Sequence, residues 1–185
     1  MYIMIKVNIG CGWRDFGPDW VHVDGGDYDH LDYQTDALHN LNFFQNSTVD
    51  LIYSSHVIDY YDQEEIKSVL KEWRRVLKPG GILRVAVPDF EVLSYLYSTK
   101  QVKLCQIIGP LYGKMKMQNK NIFHKTVYNF ESLKSVLESA KFYNISRYNW
   151  RETEHRKYDD HSQAYIPHMD KENGTLISLN VEAHR

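Results

Sequence analysis

The sequence predicts an α/β fold on a mostly parallel sheet. Short β-rich runs at 3–9, 20–24, 49–54 and 82–87 alternate with helical spacing at 63–77 and 130–140. The first run breaks into Gly10-Cys11-Gly12, and the second ends in Asp24. Pro79-Gly80-Gly81 and Pro88 punctuate the chain where a helix should give way to a strand and a strand to a helix. Strands joined by helical crossovers lie parallel, and such sheets bind ligands beyond the carboxyl ends of their strands. The glycines and the acid therefore fall at neighbouring strand ends and can face one ligand.

The elements follow in order. Residues 3–9 alternate as strand one, and WVHVD (20–24) is strand two. Asp36-Ala37-Leu38 marks a short strand end, and Phe43-Phe44 a loop or single helical turn. VDLIYS (49–54) is a further strand. The clearest helix spans 63–77, with Ile66, Val69, Leu70, Trp73, Val76 and Leu77 on one face. Asp62 caps it and Glu65 completes a capping-box spacing. ILRVAV (82–87) reads as a buried strand. Asp89 caps a helix using Val92, Leu93 and Leu96, and Asn129 caps one using Leu133, Val136, Leu137 and Ala140. Between these, 98–128 reads as a short helix and then a mobile loop around KMKMQNK. Residues 143–150 and 176–183 are the expected final strands.

Composition narrows the function classes. A chain of 185 residues is expected to form one domain, 1–185. Its net charge of −2 gives no basic excess, so no nucleic-acid partner is expected. No run approaches the ~20 apolar residues of a membrane span. MYIMIKVNIG lacks the layout of a signal peptide. Cys11 and Cys105 form neither a disulfide framework nor a metal spacing. A cytoplasmic protein with no membrane partner and no bound metal is expected; one sequence does not reveal its oligomeric state.

Glycines after a first strand let the backbone turn and approach a ligand closely. An acid ending strand two can accept both hydroxyls of a ribose. A dinucleotide fingerprint would need a third glycine opening a crossover helix. Position 15 is Asp15, and residues 13–19 leave no room for that helix, which counts against a nicotinamide-dependent oxidoreductase.

VNIGCG (7–12), WVHVD (20–24), VDLIYSSHVIDYY (49–61), EEIKSVLKEWRRVLKPGGILRVAVPD (64–89) and FESLKSVLESAKF (130–142) together resemble a class I S-adenosylmethionine-dependent methyltransferase. The resemblance is to the small type-11-like subgroup with a shortened first helix. It implies a Rossmann-like seven-stranded sheet in the order 3-2-1-4-5-7-6, with the last strand antiparallel. It implies S-adenosyl-L-methionine as cofactor, its methionyl part near Gly10, Cys11 and Gly12 and its ribose on Asp24. Asp36 would meet the adenine amino group, with Ala37 and Leu38 beside the ring. Ser54, Ser55 and His56 would lie below the methionyl part.

Two departures stand out: the loop's usual third glycine is missing, with Arg14 nearby, and Asp59-Tyr60 stands where relatives often carry Glu-His. The candidates for a base are His56, His124, Asp59 and His161. Cys11 reads as a loop filler. Segments 98–128 and 151–175 are expected to supply the acceptor pocket. The acceptor expected is a small polar molecule, such as a sugar hydroxyl or a precursor of a cell-surface polysaccharide. The alternative is a cofactor-binding pseudoenzyme or partner-binding module without methyl transfer.

Overall fold

The computed structural model describes residues 4–185; Ile3, the first residue of the expected strand one, lies outside them. The strands are β1 (Lys6–Ile9), β2 (Trp20–Asp24), β3 (Tyr33–Gln34), β4 (Val49–Ser55), β5 (Leu77–Pro88), β6 (Met115–Met117), β7 (Lys120–Ile122), β8 (Tyr143–Arg147), β9 (Tyr165–Ile166), β10 (Thr175–Leu176) and β11 (Ser178–His184). The helices are α1 (Glu65–Val76), α2 (Phe90–Ser98), α3 (Leu104–Tyr112) and α4 (Phe130–Ser139).

Seven strands form one sheet in the order β3-β2-β1-β4-β5-β11-β8. β11 runs antiparallel to both its neighbours, while the pairs from β3 to β5 are parallel. Setting aside the separate hairpins β6–β7 and β9–β10, the order reads 3-2-1-4-5-7-6, as the resemblance implies. The carboxyl ends of β1, β2, β4 and β5 thus share one edge.

Several elements differ from expectation. β5 begins at Leu77 and carries Pro79-Gly80-Gly81 within it. Gly80 takes φ +75°, and the register with β4 shifts between Val49 and Leu51. KMKMQNK is the β6–β7 hairpin, turning through Gln118 at φ +53°. The strand expected over 143–150 stops at Arg147, because Asn149 caps a 3₁₀ turn at Trp150–Glu152. Leu176 pairs with Tyr165 in the second hairpin, so β11 starts only at Ser178. The Asp36–Leu38 stretch is loop, β3 having ended at Gln34.

α1 and α4 bury Ile66, Leu70, Trp73, Leu133 and Leu137 against one sheet face, in a core with Val7, Ile9, Ile52 and Val85. Asp62 caps α1 as expected, accepting from the Glu64 and Glu65 amides, while Glu65 reaches back to the Asp62 amide. The opposite face carries no α-helix from the β1–β2 connection. Phe16 and Trp20 pack there with Leu51 and Tyr53, and Tyr158 stacks on Phe16 at 4.5 Å between ring centroids. The 150–165 segment covers the face where a first crossover helix would otherwise lie. No helix among the described residues is long and apolar enough to cross a membrane.

Candidate functional site

β1 ends where Gly10 turns at φ +72° and its amide donates to the Val23 carbonyl at 2.7 Å. A Cβ at Gly10 would sit 2.1 Å from Val57 Cγ2, so the strand end after β4 presses on the loop and demands glycine. Gly12, at φ +57°, faces open space. Asp24 is buried at the end of β2. Its Oδ2 accepts from the Gly12 amide at 2.8 Å and its Oδ1 from the Gly26 amide at 2.7 Å. The carboxylate thereby fixes two loops, and each oxygen keeps a lone pair for a ligand.

These groups open into one cavity of about 1550 Å³. Gly10, Gly12, Asp24, Asp36, Leu38 and Ser55 line it, as do His56, His124 and His161. Met115, Met117, Phe123, Ile166 and Ile177, from 98–128 and the region around the second hairpin, also line it. The sequence-predicted residues do not all reach it. Ser54 is buried and donates to the Ile9 carbonyl at 3.0 Å, tying β4 to β1. Ala37 is held in a turn by Thr35 Oγ1. Cys11 turns inward, its Sγ 3.6 Å from His30 Nε2. Burial, followed by Asp24, pushes its thiol up to about 12, which leaves it inert as a nucleophile.

Asp59 is buried behind the wall and meets the cavity only through His124, whose Nε2 lies 2.8 Å from Asp59 Oδ2. Both side chains are almost fully buried. The Tyr60 hydroxyl donates to the Gly113 carbonyl at 2.6 Å, and its ring sits edge-on to His124. Gly113 ends α3 at φ +52°, and a Cβ there would fall 1.9 Å from His124 Nε2. The Asp59-Tyr60 departure therefore builds the seat of His124.

His56 follows β4 at φ +54°, its amide donating to Ala86 at 2.8 Å. Its ring centroid lies 4.9 Å from that of His161 and 6.5 Å from that of His124. Burial, then His161, His124 and Arg14, hold the His56 imidazole well below its ordinary pKa. Burial and then Arg14 also lower His161. Ser55 Oγ, His56 Nε2 and His124 Nδ1 are buried without a hydrogen-bond partner, and all three belong to cavity residues. No group of three or more His, Cys, Asp or Glu among the described residues could hold a metal ion.

Sequence reasoning missed two constraints. Arg14, near the absent third glycine, donates through Nε to the Asp159 carbonyl at 2.8 Å and pins the 151–175 segment to the loop. Asp160 caps the turn that presents His161, accepting from the Ser162 amide at 2.8 Å and from the Tyr53 hydroxyl. The Asp-x-Ser spacing signals the cap, but no local pattern reveals the long-range tyrosine contact.

Residues 16–85 match the family model of a methyltransferase domain. That stretch, from β2 into β5, is similar to methyltransferase domains of the type-11 kind. Among curated proteins, a demethylmenaquinone methyltransferase of Staphylococcus aureus strain MRSA252 is 27% identical over 125 residues, covering 60% of this chain and 52% of that protein. The chain thus spans about half the length of the curated relatives it matches. Solved methyltransferase structures share the fold at low identity. A SAM-dependent methyltransferase from Archaeoglobus fulgidus superposes with TM-score 0.60 and 16% identity, over 98% of this chain and 86% of that one. The Burkholderia thailandensis 1,6-didemethyltoxoflavin-N1-methyltransferase, with 1,6-didemethyltoxoflavin and S-adenosylhomocysteine bound, gives TM-score 0.55 at 10% identity over 98% and 70%.

Proposed function

We propose that the chain transfers a methyl group from S-adenosylmethionine to a hydroxyl-bearing small molecule, with His124 taking the hydroxyl proton. One observation carries this reading: a single cavity is lined by both Asp24 and His124, and the His124 ring is backed by the buried Asp59 carboxylate, 2.8 Å from its Nε2. The residues fit the cofactor. Asp24 retains lone pairs for a ribose diol, Gly12 leaves open space at the loop, and Leu38 and Asp36 offer an apolar contact and an acceptor for adenine. When bound, the cofactor supplies an electrophilic methyl on a sulfonium.

The chain's own work is positioning and proton removal. The His124 imidazole accepts the proton, and the adjacent Asp59 carboxylate stabilises the imidazolium that forms. His56, held neutral by burial, lines the acceptor side of the cavity without competing as a base. Asp59 and Tyr60, whose departure motivates the alternative of a transfer-incompetent module, build the His124 seat and so favour turnover.

The acceptor wall mixes imidazoles with Met115, Phe123, Ile166 and Ile177. That favours an acceptor with a flat apolar body beside its hydroxyl over a bare sugar, whose remaining hydroxyls would be desolvated without partners. The names of the relatives, demethylmenaquinone and didemethyltoxoflavin methyltransferases, are in keeping with such a body.

Titration calorimetry with S-adenosylhomocysteine tests the reading, with NAD as control. Micromolar binding that weakens about a hundredfold in Asp24→Ala, through loss of two charge-assisted hydrogen bonds, is expected. Asp24→Asn, which keeps the side-chain shape, separates that loss from loop collapse. No binding at millimolar ligand would overturn the proposal.

A further inference from the structure

α3 presents three different faces. Ile107 is buried against Leu93 and Leu96 of α2. Gln106, Gly109 and Pro110 line the cavity. Leu104, Ile108 and Tyr112, spaced four apart and so on one stripe, point away from both. They are 52%, 42% and 59% exposed. The helix carries no charged residue, so nothing on it offsets this apolar stripe. Phe123, also exposed, lies beside its end, since the His124 amide donates to the Tyr112 carbonyl at 2.9 Å.

The surrounding charge has one sign. Segment 98–128 holds Lys100, Lys103, Lys114, Lys116, Lys120 and Lys125, and no Asp, Glu or Arg, in a chain of net charge −2. Lys125 is paired with Glu65; none of the ion pairs among the described residues involves the other five. Lys103 stands at the start of α3, Lys114 follows its end, and Lys116 and Lys120 lie on the β6–β7 hairpin.

We propose that the outer stripe of α3, with the lysines of its ends and of the β6–β7 hairpin, docks on an anionic lipid surface. Aliphatic side chains framed by lysines suit a bilayer, where the apolar groups enter the acyl boundary and the ammonium groups meet lipid phosphates. A nucleic acid would meet the same charge, but it gives Leu104 and Ile108 no apolar phase, and the segment lacks the arginine that stacks on bases. The expectation of no membrane partner rested on the lack of a spanning segment, which says nothing of a surface built by one helix and a hairpin. Lys114, Met115 and Phe123 line the cavity and are exposed, so the cavity mouth adjoins this face. An acceptor with an apolar part would enter directly from the lipid. That last step rests on the proposed methyl transfer; the docking does not.

Vesicle co-sedimentation of the full chain tests the docking, with phosphatidylcholine vesicles with and without phosphatidylglycerol. The expected result is pelleting with the anionic vesicles only, weakened about tenfold on raising salt from physiological to molar strength. The double variants Leu104→Ser/Ile108→Ser and Lys103→Glu/Lys120→Glu should each lower partitioning at least about tenfold. None of these four residues lines the cavity, so S-adenosylhomocysteine binding should stay unchanged, showing that the variants fold and separating this test from that of methyl transfer. No pelleting by the wild type overturns the proposal. So does equal pelleting by the variants, tighter binding to mixed-sequence RNA, or a self-associated dimer that buries the stripe.

Discussion

His155 shows how one buried side chain sets an acid limit. It has no exposed surface and lies among the rings of Phe16, Trp20 and Tyr53, with both ring nitrogens unpartnered. Burial lowers its pKa from 6.5 to about 4, against a smaller upward pull from Asp160. The unfolded chain then binds the extra proton between those two values, so stability is full above pH 6.5 and drains away as pH falls toward 4. The loss is up to about 3 kcal/mol. Chemical denaturation at several pH values should show this slope, and His155→Phe should flatten it; His22, His56 and His161, also lowered, leave a remainder. At the candidate site, Asp59→Asn should cut kcat about a hundredfold with little change in KM, because the His124 imidazolium loses the carboxylate beside it. Equal kcat in the variant would remove His124 from the base role. Residue types and strand ends made Asp24, Gly10 and His56 legible in the sequence. Ser54 was not, because its neighbour Ser55 has the same chemistry and only the pleat decides which one faces β1.

Elements with their own punctuation were legible, and those defined by partners were not. α1 announces itself through Asp62, Glu65 and a one-sided apolar stripe, and its core residues are those the spacing names. Asp62→Ala removes the acceptor for two amides at the helix start and should cost about 1 kcal/mol in thermal or urea unfolding. The β6–β7 hairpin was illegible because its turn, Gln118-Asn119, contains no glycine and its strands are three residues each. β5 was misjudged at one end for a similar reason: Pro79-Gly80-Gly81 reads as a stop, yet Gly80 at φ +75° lets the strand absorb a register shift.

At the scale of the molecule, a sheet needs both faces covered, and the chain meets that need with α-helices on one side only. With no crossover helix after β1, Phe16 anchors the other face: it is 2% exposed, stacks on Tyr158 at 4.5 Å and meets Trp20 edge-on at 5.3 Å. The Tyr158 hydroxyl donates to the Phe16 carbonyl at 2.5 Å, and Arg14 holds Asp159, so the cover and the cavity wall are one continuous segment. Phe16→Ala should therefore cost more than a buried aromatic on a peripheral element, about 3–5 kcal/mol of unfolding free energy. Its effect should also reach the site, because the same segment delivers His161. Phe16→Leu, which keeps most of the volume, should restore most of the stability. Hydrogen exchange gives the decisive reading: in Phe16→Ala, amides of 151–165 should lose protection while those of α1 and α4, on the far face, keep theirs. Uniform loss across both faces would mean that the aromatic cover and the helical core unfold as one unit.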